Sequence, residues 1–94
     1  MKNNTFRFSA YLIEEKDVFV AICSDVDVVS EGVTKSQAKK NLTQAVALYI
    51  ETAIESNLPV VRPIPNDQNI SILYPDQVVE RFPLFIDCRI EAYA

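Results

Sequence analysis

A group of carboxylates early in the chain has the clearest potential for chemistry. They are Glu14, Glu15, Asp17, Asp25, Asp27 and Glu31. Clustered acids can hold two metal ions for in-line phosphodiester hydrolysis, which raises the hypothesis of a metal-dependent nuclease. Most of these acids lie in predicted turns, where solvated or backbone-bonding acids are ordinary. No acid falls within Val18–Cys23, where a site at a sheet centre would need one. We therefore expect no catalytic residue, metal or cofactor.

The chain contains no histidine, which excludes a Ser-His-Asp triad, a Cys-His pair and a histidine general acid. Its two cysteines, Cys23 and Cys88, each lie within an apolar stretch typical of a strand. Free cysteine is among the most buried residue types, so we expect two small buried hydrophobic residues. A disulfide or a metal site is the alternative, although a zinc site would lack ligands without histidine or Cys-x-x-Cys.

The length of 94 residues predicts one small domain. Its net charge of −4 is opposite in sign to that of a typical nucleic-acid binder and favours a basic protein partner. No apolar run approaches the about 20 residues that a membrane span needs. The first residues lack the apolar region of a signal peptide, so we expect a cytoplasmic domain that does not associate with a membrane.

Three predicted strands come first in the chain. Residues 5–14 alternate between apolar and polar side chains, which indicates a strand. Val18–Cys23 is a short run rich in β-branched residues, and the short gap before it predicts a hairpin with the first strand. After a turn at residues 24–27, residues 28–31 predict a third, short strand.

A long helix is predicted after the single glycine of the chain, Gly32, which ends the third strand. We expect glycine there because of a backbone angle or a close approach that a side chain would forbid. Thr34 and Gln37 have the spacing of a capping box, which predicts a helix from Lys35 to about Asn57, just before a proline. The apolar stripe expected to face the sheet comprises Ala38, Leu42, Ala45, Val46, Tyr49, Ile50, Ala53 and Ile54.

The last third of the chain is less regular. Residues 57–69 are rich in proline and predict a semi-rigid loop. Residues 70–75 suggest a short extended piece, and residues 75–82 suggest one or two helical turns with Pro75 at the first position. Residues 84–94 alternate well and predict a final strand. The expected fold class is α+β: an antiparallel three- to four-stranded sheet with one long helix packed on one face, in the order β-β-β-α-β.

One helix covers only one face of such a sheet. The other face is expected to expose Tyr11, Ile13, Phe85 and Tyr93, or the residues that alternate with them if the two faces are reversed. An apolar patch of that kind usually marks an interface. This favours association with a partner or a second copy. The alternative is that residues 71–82 fold over this face.

One stretch of the chain contains a strand, an acidic turn, a second strand that ends in Gly-x-Thr, and a helix that carries Ala38, Asn41, Leu42 and Ala45. This order of elements and residues resembles the HicB family of antitoxins. The matching text is VFVAICSDVDVVS followed by EGVTKSQAKKNLTQAVALYIE, and the pattern covers residues 8–51, roughly half of the chain. The final strand looks like the closing strand of the family.

The resemblance implies a partial RNase H-like fold and a protein-binding module that covers the active site of a small basic RNA-cleaving toxin of HicA type. Full-length antitoxins of the family often add a C-terminal DNA-binding domain. Here we expect a single HicB-like domain over residues 1–94 and no direct DNA binding. The alternatives are a homo-oligomer, dimeric or larger, without a toxin, and a metal-dependent RNase H-like nuclease.

Two sets of residues follow from these expectations. The predicted partner-binding residues are Asp25, Asp27, Glu31, Tyr11 and Ile13. The predicted structural residues at the strand-to-helix junction are Gly32, Thr34, Gln37, Ala38, Asn41 and Ala45. Asn41 could contact a partner, but a local amide that bonds the strand-to-helix loop is the more common outcome and the one we expect.

Overall fold

The computed structural model describes the backbone of residues 2–90 and the side chains of residues 5–87. The main elements of this part are β1 (Lys2–Glu15), β2 (Val18–Cys23), β3 (Val28–Gly32), α1 (Lys35–Glu55) and, after a short helical turn α2 (Ile70–Leu73), β4 (Val78–Ile90). Single 3-10 turns at Asn66–Gln68 and Pro75–Gln77 flank α2. The predicted α+β class and the order β-β-β-α-β are confirmed. None of the helices within residues 2–90 has the length and apolar character required to cross a membrane.

The four strands form one antiparallel sheet in the order β3-β2-β1-β4. The β1–β2 hairpin closes through a tight turn at Lys16 and Asp17, and Lys16 has a φ of 45°. Because β2 pairs only with the second half of β1, residues 2–9 of β1 and residues 83–90 of β4 continue beyond β2 as a two-stranded ribbon.

The start of α1 lies where the sequence predicts it. Thr34 has an extended backbone, and its hydroxyl accepts a hydrogen bond from the N–H of Gln37 at 3.0 Å. Gly32 has no positive φ; instead, a Cβ built at Gly32 would lie 2.5 Å from the backbone nitrogen of Ala38. Of the two expected reasons for glycine, the close approach is therefore correct. The helix ends at Glu55, slightly before the predicted end near Asn57.

The main core lies between α1 and one face of the sheet. From the helix it takes Leu42, Val46 and Ile50, which are fully buried. The sheet contributes Phe8, Ala10 and Leu12 of β1, together with Cys23, which is also fully buried. From the predicted helix stripe, Ala38 and Ala53 are buried, whereas Ala45, Tyr49 and Ile54 are only half-buried. The expectation of a buried cysteine is confirmed for Cys23, and the side chain of Cys88 lies outside the described residues.

A second, smaller core lies on the opposite face of the sheet. Tyr11 and Ile13 are each only 3% exposed, and Ile22 is buried beside them. Residues 58–77 are called the covering segment below. The segment starts beside α1, where Val60 packs on the main core, and then crosses this face with Ile64 and Ile70. The partly buried residues that pack on the second core are Val20, Ile64, Ile70 and Val78. The predicted exposure of Tyr11 and Ile13 is therefore wrong, because a segment without long helices or strands covers them.

The alternative, in which residues 71–82 fold over this face, is correct only in part. Ile64 and Ile70, which lie before residue 71, also take part in the cover. Phe85 is 56% exposed, as predicted. Tyr93 lies outside the described residues.

The predicted structure of residues 70–82 is also corrected. Ile70–Leu73, predicted as extended, forms the turn α2, with Asn69 as its N-cap. The predicted helix at residues 75–82 is limited to the 3-10 turn Pro75–Gln77, with proline near its start as expected. From Val78 the chain pairs with β1 instead. Val78 and Val79 are β-branched and fit a pleated, half-buried surface, so pairing overrides the helical pattern.

Candidate functional site

The strand-to-helix junction acts as a structural unit. The amide Nδ2 of Asn41 donates a hydrogen bond to the carbonyl oxygen of Glu31 at 2.8 Å. This bond ties the first turns of α1 to the end of β3, beside the close contact of Gly32 with Ala38. Asn41 is thus the local amide that the sequence predicts, and its contact gives it a structural role.

The acidic turn at residues 24–27 is mainly a connector. The carboxylate of Asp25 accepts a hydrogen bond from the N–H of Ser9 at 2.7 Å, and the N–H of Ser24 donates to the carbonyl of Ser9 at 3.3 Å. These bonds satisfy the backbone of β1 at the point where β2 departs. The turn also accepts two backbone bonds from the covering segment, from Arg62 to Asp25 and from Ile64 to Ser24, both at 2.9 Å.

Asp27 occupies the exposed tip of this turn. Its φ of 52° lies in the left-handed region, which aspartate tolerates better than most residues. Its carboxylate lies 3.9 Å from the guanidinium of Arg62. Because both side chains are largely exposed, this ion pair contributes at most about 1 kcal/mol to stability. Asp27 therefore remains accessible to a partner.

The predicted partner-binding residues do not form one surface. Glu31 is exposed and stands opposite Val20, whereas the acidic turn adjoins the other end of β3. Tyr11 and Ile13 lie beneath the covering segment. Within the residues that the structure describes, no group of three or more acidic or cysteine side chains is arranged to hold a metal ion.

The overhang of β1 creates a feature that the sequence analysis missed. In the described part of the chain, residues 2–9 pair with β4 on one side and with no strand on the other. The backbone of Ser9 points to that open side, since it bonds Asp25 and Ser24 there. Because backbone groups alternate along a strand, the N–H and C=O groups of Thr5 and Arg7 point to the same side. We call this open side of residues 3–7 the β1 edge.

A signal for the β1 edge was present in the sequence. The first predicted strand is clearly longer than the second, so their hairpin must leave an overhang. What the sequence does not show is that β4 covers the opposite side of the overhang.

The outer edge of β4 is less open to pairing. Pro83 stands opposite Ser9, whose backbone groups face away from β4, so the nitrogen of Pro83 faces outward. Proline has no N–H to offer there, and proline on edge strands blocks pairing with other chains. Lys39 of α1 forms an ion pair with Glu80 and lies 4.9 Å from the centre of the Phe82 ring, which ties this end of β4 to the helix.

Fold and edge together define a two-layer α+β domain with an unpaired stretch of strand. Comparison of the chain with models of protein families found no match. Comparisons with curated proteins and with solved structures likewise found none.

Proposed function

We propose that this chain is an antitoxin-like protein-binding module that binds a small basic RNA-cleaving toxin in the cytoplasm and covers its active site. The resemblance of residues 8–51 to the HicB family motivates the proposal. The structural observation that carries it is the β1 edge. A partner strand added to an open edge gains main-chain hydrogen bonds, and the alternating side chains give specificity.

The charge of the chain supports a basic partner. The net charge is −4, and the exposed acid Asp27 lies in the turn that bonds Ser9, at the end of the β1 edge. A strand added along residues 3–7 would therefore run toward this acidic turn. Complementary charge speeds encounter and fixes orientation more than it raises affinity.

The same edge supports the second candidate, a homo-oligomer without a toxin. Two copies of the β1 edge can pair antiparallel about a two-fold axis, because such an interface uses the same patch on both subunits. The exposed Phe85 lies opposite Arg7 on the same ribbon and would add apolar contact. The nuclease alternative gains no support from the described acids, which are not gathered as a metal site.

The test is capture of partners from the host of this protein with a tagged chain, followed by mass spectrometry. Thr5→Pro removes an N–H from the β1 edge, while Thr5→Ala keeps that N–H and loses only the bond of the Thr5 hydroxyl to Asp87. We expect a small basic protein to be captured by wild type and Thr5→Ala and lost by Thr5→Pro. Once purified, it should cleave RNA and stop cleaving when an equimolar amount of the chain is added.

Other outcomes decide between the candidates. A captured protein that binds Thr5→Pro as well as wild type would exclude the β1 edge as the binding site. Recovery of this chain alone, with self-association lost in Thr5→Pro, would instead support the homo-oligomer. Circular dichroism of both variants verifies that the sheet still forms.

A further inference from the structure

A cleft lies on the sheet face opposite α1, between the ribbon and the covering segment. Its volume is about 450 Å³, within the range of small-molecule sites. The strand register explains its lining. Arg7, Ser9 and Tyr11 are spaced two residues apart and therefore lie on the same face of β1. Arg81 of β4 stands directly opposite Tyr11. Ser71 of α2 closes the remaining side. We call this the arginine cleft.

The arginine cleft is positively charged in a chain whose net charge is negative. Arg7 and Arg81 line it, and no acidic residue does. Among the residues with described side chains, neither guanidinium lies within 4.0 Å of a carboxylate; the ion pairs there use Lys39 and Arg62. The bordering acid Asp25 accepts the N–H of Ser9.

Hydrogen bonds within the protein hold the polar groups of the inner wall in place. The Oδ1 atom of Asn69 accepts from the Tyr11 hydroxyl at 3.2 Å and from the N–H and hydroxyl of Ser71 at 3.0 and 2.7 Å. This oxygen is therefore already occupied. The carbonyl of Ser71 accepts from Nη2 of Arg81 at 3.3 Å, which holds that guanidinium at the cleft.

We propose that the arginine cleft binds a small organic anion that carries a phosphate or carboxylate group. The planar guanidinium fork matches both groups and binds them bidentately. Arg7 and Tyr11 are four residues apart, about 13 Å along the strand, so Arg7 and Arg81 approach the cleft from its two ends with Ser9 between them. Arg7 lies in both features: its backbone belongs to the β1 edge and its side chain lines the cleft. The cleft does not depend on a protein partner.

The test is a titration of the ¹⁵N-labelled full chain, followed by amide chemical shifts at constant ionic strength. The probes are inorganic phosphate, adenosine monophosphate and succinate, which separate a bare phosphate, an organic phosphate and a carboxylate. We expect at least one probe to give saturable shifts that centre on Ser9, Ser24 and Ser71. Shifts that rise linearly without saturation for all three probes would overturn the proposal.

Two variants and one control locate the site. Arg7→Gln and Arg81→Gln should each weaken binding about tenfold or more, as expected for loss of a charged hydrogen bond. Arg62→Gln removes an arginine outside the cleft and should leave the affinity unchanged. Because Arg81 also bonds α2, Arg7→Gln is the decisive variant if Arg81→Gln disturbs the covering segment. Equal weakening in Arg62→Gln would show unspecific charge attraction and contradict the site.

Discussion

The hydroxyl of Tyr11 in β1 donates a hydrogen bond to Oδ1 of Asn69, the residue that caps α2, and both residues are buried. This contact fastens the covering segment to the sheet. It explains why a face that the sequence predicts as open is a second core. It also forms the inner wall of the arginine cleft, so the two features share one structural cause.

Asn69→Ala should release the covering segment. The substitution removes the Tyr11 bond and the α2 cap together, and we expect a loss of about 1–3 kcal/mol in the free energy of unfolding. Hydrogen exchange of amides in residues 58–77 should accelerate more than exchange in α1. The control is Asn66→Ala, at an exposed position nearby. Equal protection of residues 58–77 in wild type and Asn69→Ala would contradict the role of Asn69.

Wild type should lose stability at alkaline pH, and Tyr11→Phe should lose less of it. Burial raises the pKa of Tyr11 above its ordinary value of about 10. Below about pH 10, Tyr11 is protonated in both the folded and the unfolded chain, so the stability that its buried hydroxyl contributes is fully present. As the pH rises through about 10 toward the folded-state pKa, only the unfolded chain loses its proton, and stability falls.

The measurement is urea unfolding of wild type and Tyr11→Phe between neutral and alkaline pH. At neutral pH the variant should be less stable by about 1 kcal/mol through the lost hydrogen bond, and this gap should shrink as the pH rises above 10. Burial also raises the pKa of the Cys23 thiol, but Cys23 is present in both proteins. A constant gap would show that Tyr11 does not titrate with unfolding.

Gly32→Ala should destabilise the protein by about 1–3 kcal/mol, the range for overpacking a tight contact. The added Cβ would lie 2.5 Å from the nitrogen of Ala38 and 2.8 Å from the carbonyl carbon of Gln37, and backbone atoms cannot rotate away. Val33→Ala, at the exposed neighbour, is the matched control for urea unfolding. If Gly32→Ala were as stable as wild type, the close approach could not explain the glycine.

Thr34→Ala should lower the free energy of unfolding by about 1 kcal/mol, because the N–H of Gln37 loses the hydroxyl that accepts its hydrogen bond. Ser36→Ala, at an exposed position in the first turn of α1, has no such role and should not destabilise. Thermal unfolding of the two variants gives the comparison. Coincident melting curves for Thr34→Ala and wild type would show that Thr34 is not the N-cap and that α1 starts elsewhere.

Asn41→Asp should destabilise by about 1–3 kcal/mol, since a carboxylate cannot donate to the carbonyl of Glu31 and places charge beside it. Gln44→Glu makes the same change from amide to acid at an exposed position of the same helix and isolates the effect of the lost bond. We expect urea unfolding to show a loss only for Asn41→Asp. An equal loss in both variants would attribute the effect to charge alone.

Several elements can be predicted from the sequence because their signals are local. The cap of Thr34, the apolar stripe of α1, the position of β2 and the alternation of residues 84–87 each depend on neighbours within a few residues. They therefore predict the α+β class and the packing of α1 on the sheet. For Gly32 the sequence allows two reasons, a special backbone angle or a close approach of another group. Only the packing of Ala38 against Gly32 shows that the close approach is the correct one.

The remaining features depend on contacts between segments that are distant in sequence. Residues 70–82 carry weak local preferences, so pairing of Val78 with Ile13 and burial of Ile70 on Tyr11 set their conformation. The same contacts bury the predicted patch. The β1 edge and the arginine cleft depend on which residues of β4 stand opposite β1, and Arg7 and Arg81 are far apart in sequence. Such a register follows from long-range burial and pairing of the whole sheet, which no local pattern encodes.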